Sequence, residues 1–144
     1  MSNVTIPATN QPNSRTLVDA NELQTIALPA TAAAAVYTPS LDLGNAPYGS
    51  SEHFNVQVDV PAIGTQLGSA YTLTVELQGA TDNATFTRIA EAADIVITGD
   101  AATPSSTVFK LSPDAPQYVR AAFTTGATIV STLAAYTGAI SLRF

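Results

Sequence analysis

The 144-residue chain has no cysteine and no tryptophan, a single histidine, and five cations against eleven acids. Each shortage closes off some chemistry. Without cysteine there are no disulfides, no thiolate nucleophile and no zinc thiolate centre, and the redox state of the compartment leaves no trace in the sequence. A Ser/His/Asp triad would have to use His53, which stands beside Glu52 at the start of an expected strand, and no nucleophile-elbow motif occurs. A solvent-facing or capping histidine is the simpler reading, so no catalytic residue is assigned. Arg15, Arg88, Lys110, Arg120 and Arg143 are scattered along the chain. Counterion release from a phosphate backbone needs a basic patch, so no nucleic-acid partner is expected. No run approaches the ~20 apolar residues of a membrane-spanning helix, and no membrane partner is expected. The first fifteen residues, MSNVTIPATNQPNSR, lack the early cation and apolar stretch of a secretory signal.

Metals and sugars fare little better. Asp82 with Asn83, and Asp94 with Asp100, lack the spacing of a calcium loop, and turn roles explain them more simply; no metal or cofactor is expected. Glu76 and Glu91 are the pair a glycosidase reading would need, but their spacing gives it no support and Glu76 falls on the polar side of its strand. A lectin would stack exposed aromatics on sugar rings. The candidates are Tyr37, Tyr48, Tyr71, Tyr118 and Tyr136, and two of them alternate in phase with core positions.

What the chain does have is period-two alternation. Tyr71, Leu73, Val75 and Leu77 face one way and Thr72, Thr74, Glu76 and Gln78 the other, which is a half-buried strand. Gly79, Asp82 and Asn83 supply a turn, and the run from Thr85 to Ile89 resumes an extended chain with Phe86 on the apolar side, completing a hairpin. Phe54, Val56, Val58 and Val60 make a second clear strand, expected to pair with Tyr71–Gln78. Glu22–Leu28, Ser40–Leu43, Ile95–Ile97, Thr107–Leu111, Tyr118–Thr124 and Thr137–Phe144 are further strand candidates, with Thr128–Ser131 a strand or a loop. Short strands separated by Gly, Pro and Asx clusters, with no sustained helical period, predict an all-β fold: a single β-sandwich or jelly-roll domain over residues 29–144, preceded by an extended N-terminal arm over residues 1–28. Pro7, Pro12 and Pro29 break up the arm, which carries two apolar pairs, Val4 with Ile6 and Leu17 with Val18. These four residues are candidate contacts to a neighbouring surface. So are Ile63 and Leu67 in the long connection PAIGTQLGSA, read as a loop that projects from one end of the fold.

Charged residues make up only 11% of the chain, well below the usual quarter or so, which leaves a surface of Thr, Ser, Ala, Asn and Gln that is weakly defended against association. The segments Leu41-Asp42-Leu43-Gly44, Leu73-Thr74-Val75-Glu76-Leu77-Gln78 with Thr81-Asp82-Asn83-Ala84-Thr85-Phe86, and Tyr118-Val119-Arg120 to Phe123-Thr124 with Gly138-Ala139-Ile140, taken in this order and spacing, resemble the jelly-roll cement (decoration) proteins of short-tailed bacteriophage capsids. The likeness covers about residues 36–144. It implies a structural virion protein without enzymatic activity, placed on the outer surface of the capsid, with the major capsid protein and itself, as a dimer or trimer, for partners. The alternative is a carbohydrate-binding or host-attachment β-sandwich module.

Overall fold

The computed structural model describes residues 23–43, 54–65, 67–68, 71–99, 103–112 and 114–143. All regular structure among them is strand: β1 Leu23–Ala27, β2 Ala35–Tyr37, β3 Leu41–Asp42, β4 Phe54–Val60, β5 Thr72–Ala80, β6 Thr87–Arg88, β7 Ile95–Thr98, β8 Ser105–Leu111, β9 Tyr118–Thr125 and β10 Thr137–Arg143. Every pairing is antiparallel, and the strands form two sheets, one of order β1-β10-β4-β8 and one built on β2-β9-β5-β6.

β2 and β3 both lie along β9, interrupted at Pro39, which has no N–H to give a ladder. β6 and β7 likewise share β5. Merging each interrupted pair leaves eight strands, and the chain changes sheet at every connection except that from β5 to the β6/β7 strand, in the manner of a jelly roll. The fold class read from the alternation is the one observed.

The core fills the space between the sheets. β5 supplies Leu73, Val75 and Leu77, β4 supplies Val56, Val58 and Val60, and β9 supplies Val119, Ala121 and Phe123, all essentially buried. Gly138 of β10 lies on the Phe123 ring of β9, so the two sheets are in close contact there; a Cβ at this position would stand 2.5 Å from the ring's Cζ. The buried threonines Thr38 and Thr125 are paired, as burial requires. Thr38 Oγ1 accepts from the Ala121 N–H, and Thr125 Oγ1 donates to the Thr31 carbonyl at 2.8 Å while accepting from the Ala34 N–H at 3.1 Å.

Three expectations change. β4 and β5 do not pair: β4 lies between β10 and β8, and β5 between β9 and the β6/β7 strand. Residues 61–71 carry the chain across from one sheet to the other, and so Ile63 and Leu67, 1% and 0% exposed, plug that end of the sandwich together with Leu28 and Leu133 instead of projecting from it. Gly68, at φ +98, makes the crossing possible, because a side chain there would strike Tyr71 and Val130. Finally, β1 pairs with β10 along its whole length and Leu28 is in the core, so residues 23–28 belong to the sandwich and not to the arm. Val4, Ile6, Leu17 and Val18 of the arm lie outside the described residues, as do His53 and Asp100.

Candidate interaction surfaces

Side chains at odd positions of β5 and β9 point inward, so even positions form the outer face of their sheet. There Arg120 of β9 stands opposite Gln78 of β5. Its guanidinium lies 4.0 Å from the ring centroid of Tyr37 on one side and 4.0 Å from that of Phe86 on the other. Its Nε donates to Gln78 Oε1 at 2.9 Å, and Gln78 Nε2 donates to Glu76 Oε1 at 2.7 Å. A planar cation held between two rings and fixed by a hydrogen bond has little rotamer freedom left to lose. Phe86 therefore belongs to this outer face. β6 pairs Arg88 with Gln78, which puts Phe86, two residues earlier, on the same side as Arg120 and away from the core expected for it.

The other sheet repeats the device. Arg143 Nε donates to Gln57 Oε1 at 2.7 Å, and Gln57 Nε2 donates to Asp59 Oδ1 at 2.7 Å. Thus each outer face carries an arginine, a glutamine and a carboxylate in series, surrounded by Thr, Ser and Ala. The exposed large apolar residues are Leu23, Tyr37, Val96, Val108 and Val130, distributed over both faces and one end.

At the end where β5 turns into β6, Asp82 accepts from the backbone N–H groups of Thr85, at 2.8 Å, and Ala84, at 2.9 Å. These hydrogen bonds, that from Thr85 foremost, hold its carboxyl below the ordinary aspartate pKa. Asn83 takes the left-handed conformation, φ 56, and its side-chain carbonyl accepts from the Ser40 hydroxyl at 2.6 Å, tying the turn to the break between β2 and β3. Asp82 and Asn83 thus have the turn roles expected of them. Gly79 does not. It lies inside β5, where the ring of Pro116 packs against the space a Cβ would take.

An open depression of about 340 Å³ lies beside this end, between residues 87–91 on one side and Ser112, Asp114, Ala115 and Pro116 on the other. Two of its ionisable groups are tied into the scaffold: Glu91 Oε1 accepts from the Ser112 N–H at 3.1 Å, and Arg88 Nη2 lies 3.2 Å from Asp94 Oδ1. Glu76 and Glu91 have different surroundings, one on the outer face and the other at the depression, each engaged by a neighbour. Among the described residues no group of three His, Asp or Glu has the arrangement to hold a metal ion.

Of the six contact residues expected from the sequence, Ile63 and Leu67 are core, and the four in the arm lie outside the described residues. Of the residues that do organise the surface, Gln78 and Phe86 share a hairpin, while Tyr37 and Arg120 come from distant parts of the chain, and no local pattern joins the four. The one available signal was parity, which put Gln78 and Arg120 on outward-facing positions of their strands.

No family model matches the chain, and no curated protein matches it. Among solved structures, it superposes on the crystal structure of PBSX exported protein XepA with a TM-score of 0.52 and 17% identity, over 82% of this chain and 34% of that one. The chain therefore spans about a third of that protein's length, and at this identity the likeness is one of fold, the all-β sandwich.

Proposed function

We propose that the chain is a structural virion protein, without enzymatic activity, that binds the outer surface of an assembled phage capsid and stabilises it by bridging subunits of the major capsid protein. The observation that carries this reading is the pair of outer faces. Their long polar side chains are already immobilised by one another, through Arg120–Gln78–Glu76 and Arg143–Gln57–Asp59, within fields of small residues. Such faces suit broad, shallow contact, because ordering long side chains on binding otherwise costs about 0.5–1.5 kcal/mol each. A clamp of this kind adds area that must be lost before two capsid subunits separate, and several clamps per shell act together. A net charge of -6 suits an exterior position away from packaged DNA. The fold shared with a phage-related exported protein is in keeping with a phage setting.

The test is binding of the purified chain to capsids that lack it, followed by co-sedimentation. Saturable binding, and a rise in the temperature at which the shells release DNA, are expected. Absence of binding, with selective retention on a glycan array, would replace the proposal by the carbohydrate-binding alternative.

A further inference from the structure

A two-sheet sandwich has four edges, and three of them here are short or broken. The β2/β3 edge is interrupted at Pro39, the β6/β7 edge is made of segments of two and four residues, and β1 has five residues and continues from the arm. β8 differs. Its seven residues, Ser105–Leu111, pair with β4 on one side, and among the described residues no strand lies on the other. Natural edges of this length are defended by charges, proline or a bulge. Proline occurs only outside the strand, at positions 104 and 113, the single charge is Lys110, and Val108 in the middle is 55% exposed on the outer face.

The edge is also self-complementary. With a second copy running antiparallel about a twofold axis through Val108, Val108 faces its own counterpart, and Lys110 faces Ser106 of the other copy. The β4 register sets Asp59 beside Ser106 and Asn55 beside Lys110. A row across the joined faces then reads Asn55 and Lys110 of one copy, then Ser106 and Asp59 of the other. At the usual strand spacing the Cα atoms of Lys110 and that Asp59 stand ~10 Å apart with only a serine between them, within the combined reach of the two side chains. The twofold axis generates the pair a second time. Lys110 has no ion pair of its own among the described residues. Slipping the register by one residue would turn one copy's core face outward, and slipping it by two would part Lys110 from that Asp59.

We propose that β8 is a homodimerisation edge: two copies pair antiparallel about Val108, joining their four-stranded sheets into one continuous sheet, with reciprocal Lys110–Asp59 ion pairs across the seam. This deepens the self-association implied by the capsid-binding reading and rests on it for its biological setting. The geometry itself needs only the free protein.

The absence of cysteine makes the test clean, since a single introduced thiol can form a disulfide only between copies. Paired strands bring facing Cβ atoms close to disulfide distance. The full-length V108C variant is therefore expected to cross-link, under mild oxidation, at least about tenfold faster than V130C, whose parent residue is 64% exposed on the β9–β10 connection. Sedimentation velocity of the concentrated wild-type protein is expected to show twice the 14.8 kDa chain mass. K110D or D59K alone should lower the dimer fraction, and the double exchange should restore it. A monomer, a trimer, equal cross-linking of the two cysteine variants, or no rescue by the double exchange overturns the pairing. Capsid binding by a monomer would overturn this pairing alone, whereas a β8 dimer that ignores capsids would overturn the capsid reading alone.

Discussion

Replacing Gly138 by alanine tests whether the two sheets meet where β10 crosses β9. The new methyl would lie 2.5 Å from Phe123 Cζ, 2.7 Å from Cε1 and 3.0 Å from Cε2. Carbon atoms in contact prefer about 3.5–4.0 Å, so the ring has to retreat by about 1 Å. It has nowhere to go, being fully buried in a close-packed interior. Overpacking of this kind costs about 1–3 kcal/mol, offset by about 0.5 kcal/mol because alanine is the better strand residue. For a domain of this size that is a fall in Tm of about 2–8 °C. Phe123→Leu removes the three clashing atoms and by itself leaves a small void costing about 1–2 kcal/mol. In the double variant the alanine methyl enters that void, so the two losses should fall short of additivity by about 1 kcal/mol or more. Urea melts of the four proteins measure this. A neutral Gly138→Ala, or additivity within about 0.5 kcal/mol, would refute the packing described here.

The domain boundary is open to a simple check: deleting residues 1–22, which precede β1, should leave the thermal midpoint nearly unchanged, whereas deletion through Leu28 removes an edge strand and a core side chain and should destabilise by about 3 kcal/mol or more. The shorter deletion should also weaken capsid occupancy, and full occupancy would remove the arm from the contact. For Asp82, a carboxyl NMR titration should give a pKa below the ordinary aspartate value. Because the folded value is the depressed one, the turn's stabilisation is complete above the ordinary value and lost as pH falls through the folded one; a pKa at or above the ordinary value contradicts the turn geometry. Arg120→Ala should cost about 1–2 kcal/mol through loss of both ring contacts, and Arg120→Lys should not recover it, since an ammonium cannot stack in the slot between Tyr37 and Phe86. Equal stability of the lysine variant and the wild type in urea would contradict the clamp.

Most strands are legible from alternation alone, because each has one side against a core: β4, β5, β9 and β10 fall where Val56 to Val60, Leu73 to Leu77, Val119 to Phe123 and Ile140 to Leu142 alternate with polar neighbours. Alternation identifies the buried side but carries no information on which sheet owns it, and so β4 and β5 invite pairing although they lie in opposite sheets. Ile63 and Leu67 show a second limit. Glycines on either side mark a loop, yet a connection that crosses between sheets has to close the end of the core, and two large aliphatic residues four apart in it do that. Phe86 shows a third, since the tight turn at Asp82 and Asn83 resets the phase and parity cannot be carried through it from Leu77. The Arg120 clamp is assembled from four stretches of chain by the β2–β9–β5–β6 order, which is a property of topology and has no local signature.

Capsid binding itself is visible in a cryo-electron map of phage particles carrying this protein. Jelly-roll density is expected on the outside of the shell, with its Thr- and Ala-rich faces lying across junctions between major capsid protein subunits. Density confined to the tail or the shell interior, or particles whose shells carry none of it, would rule out binding to the outer capsid surface.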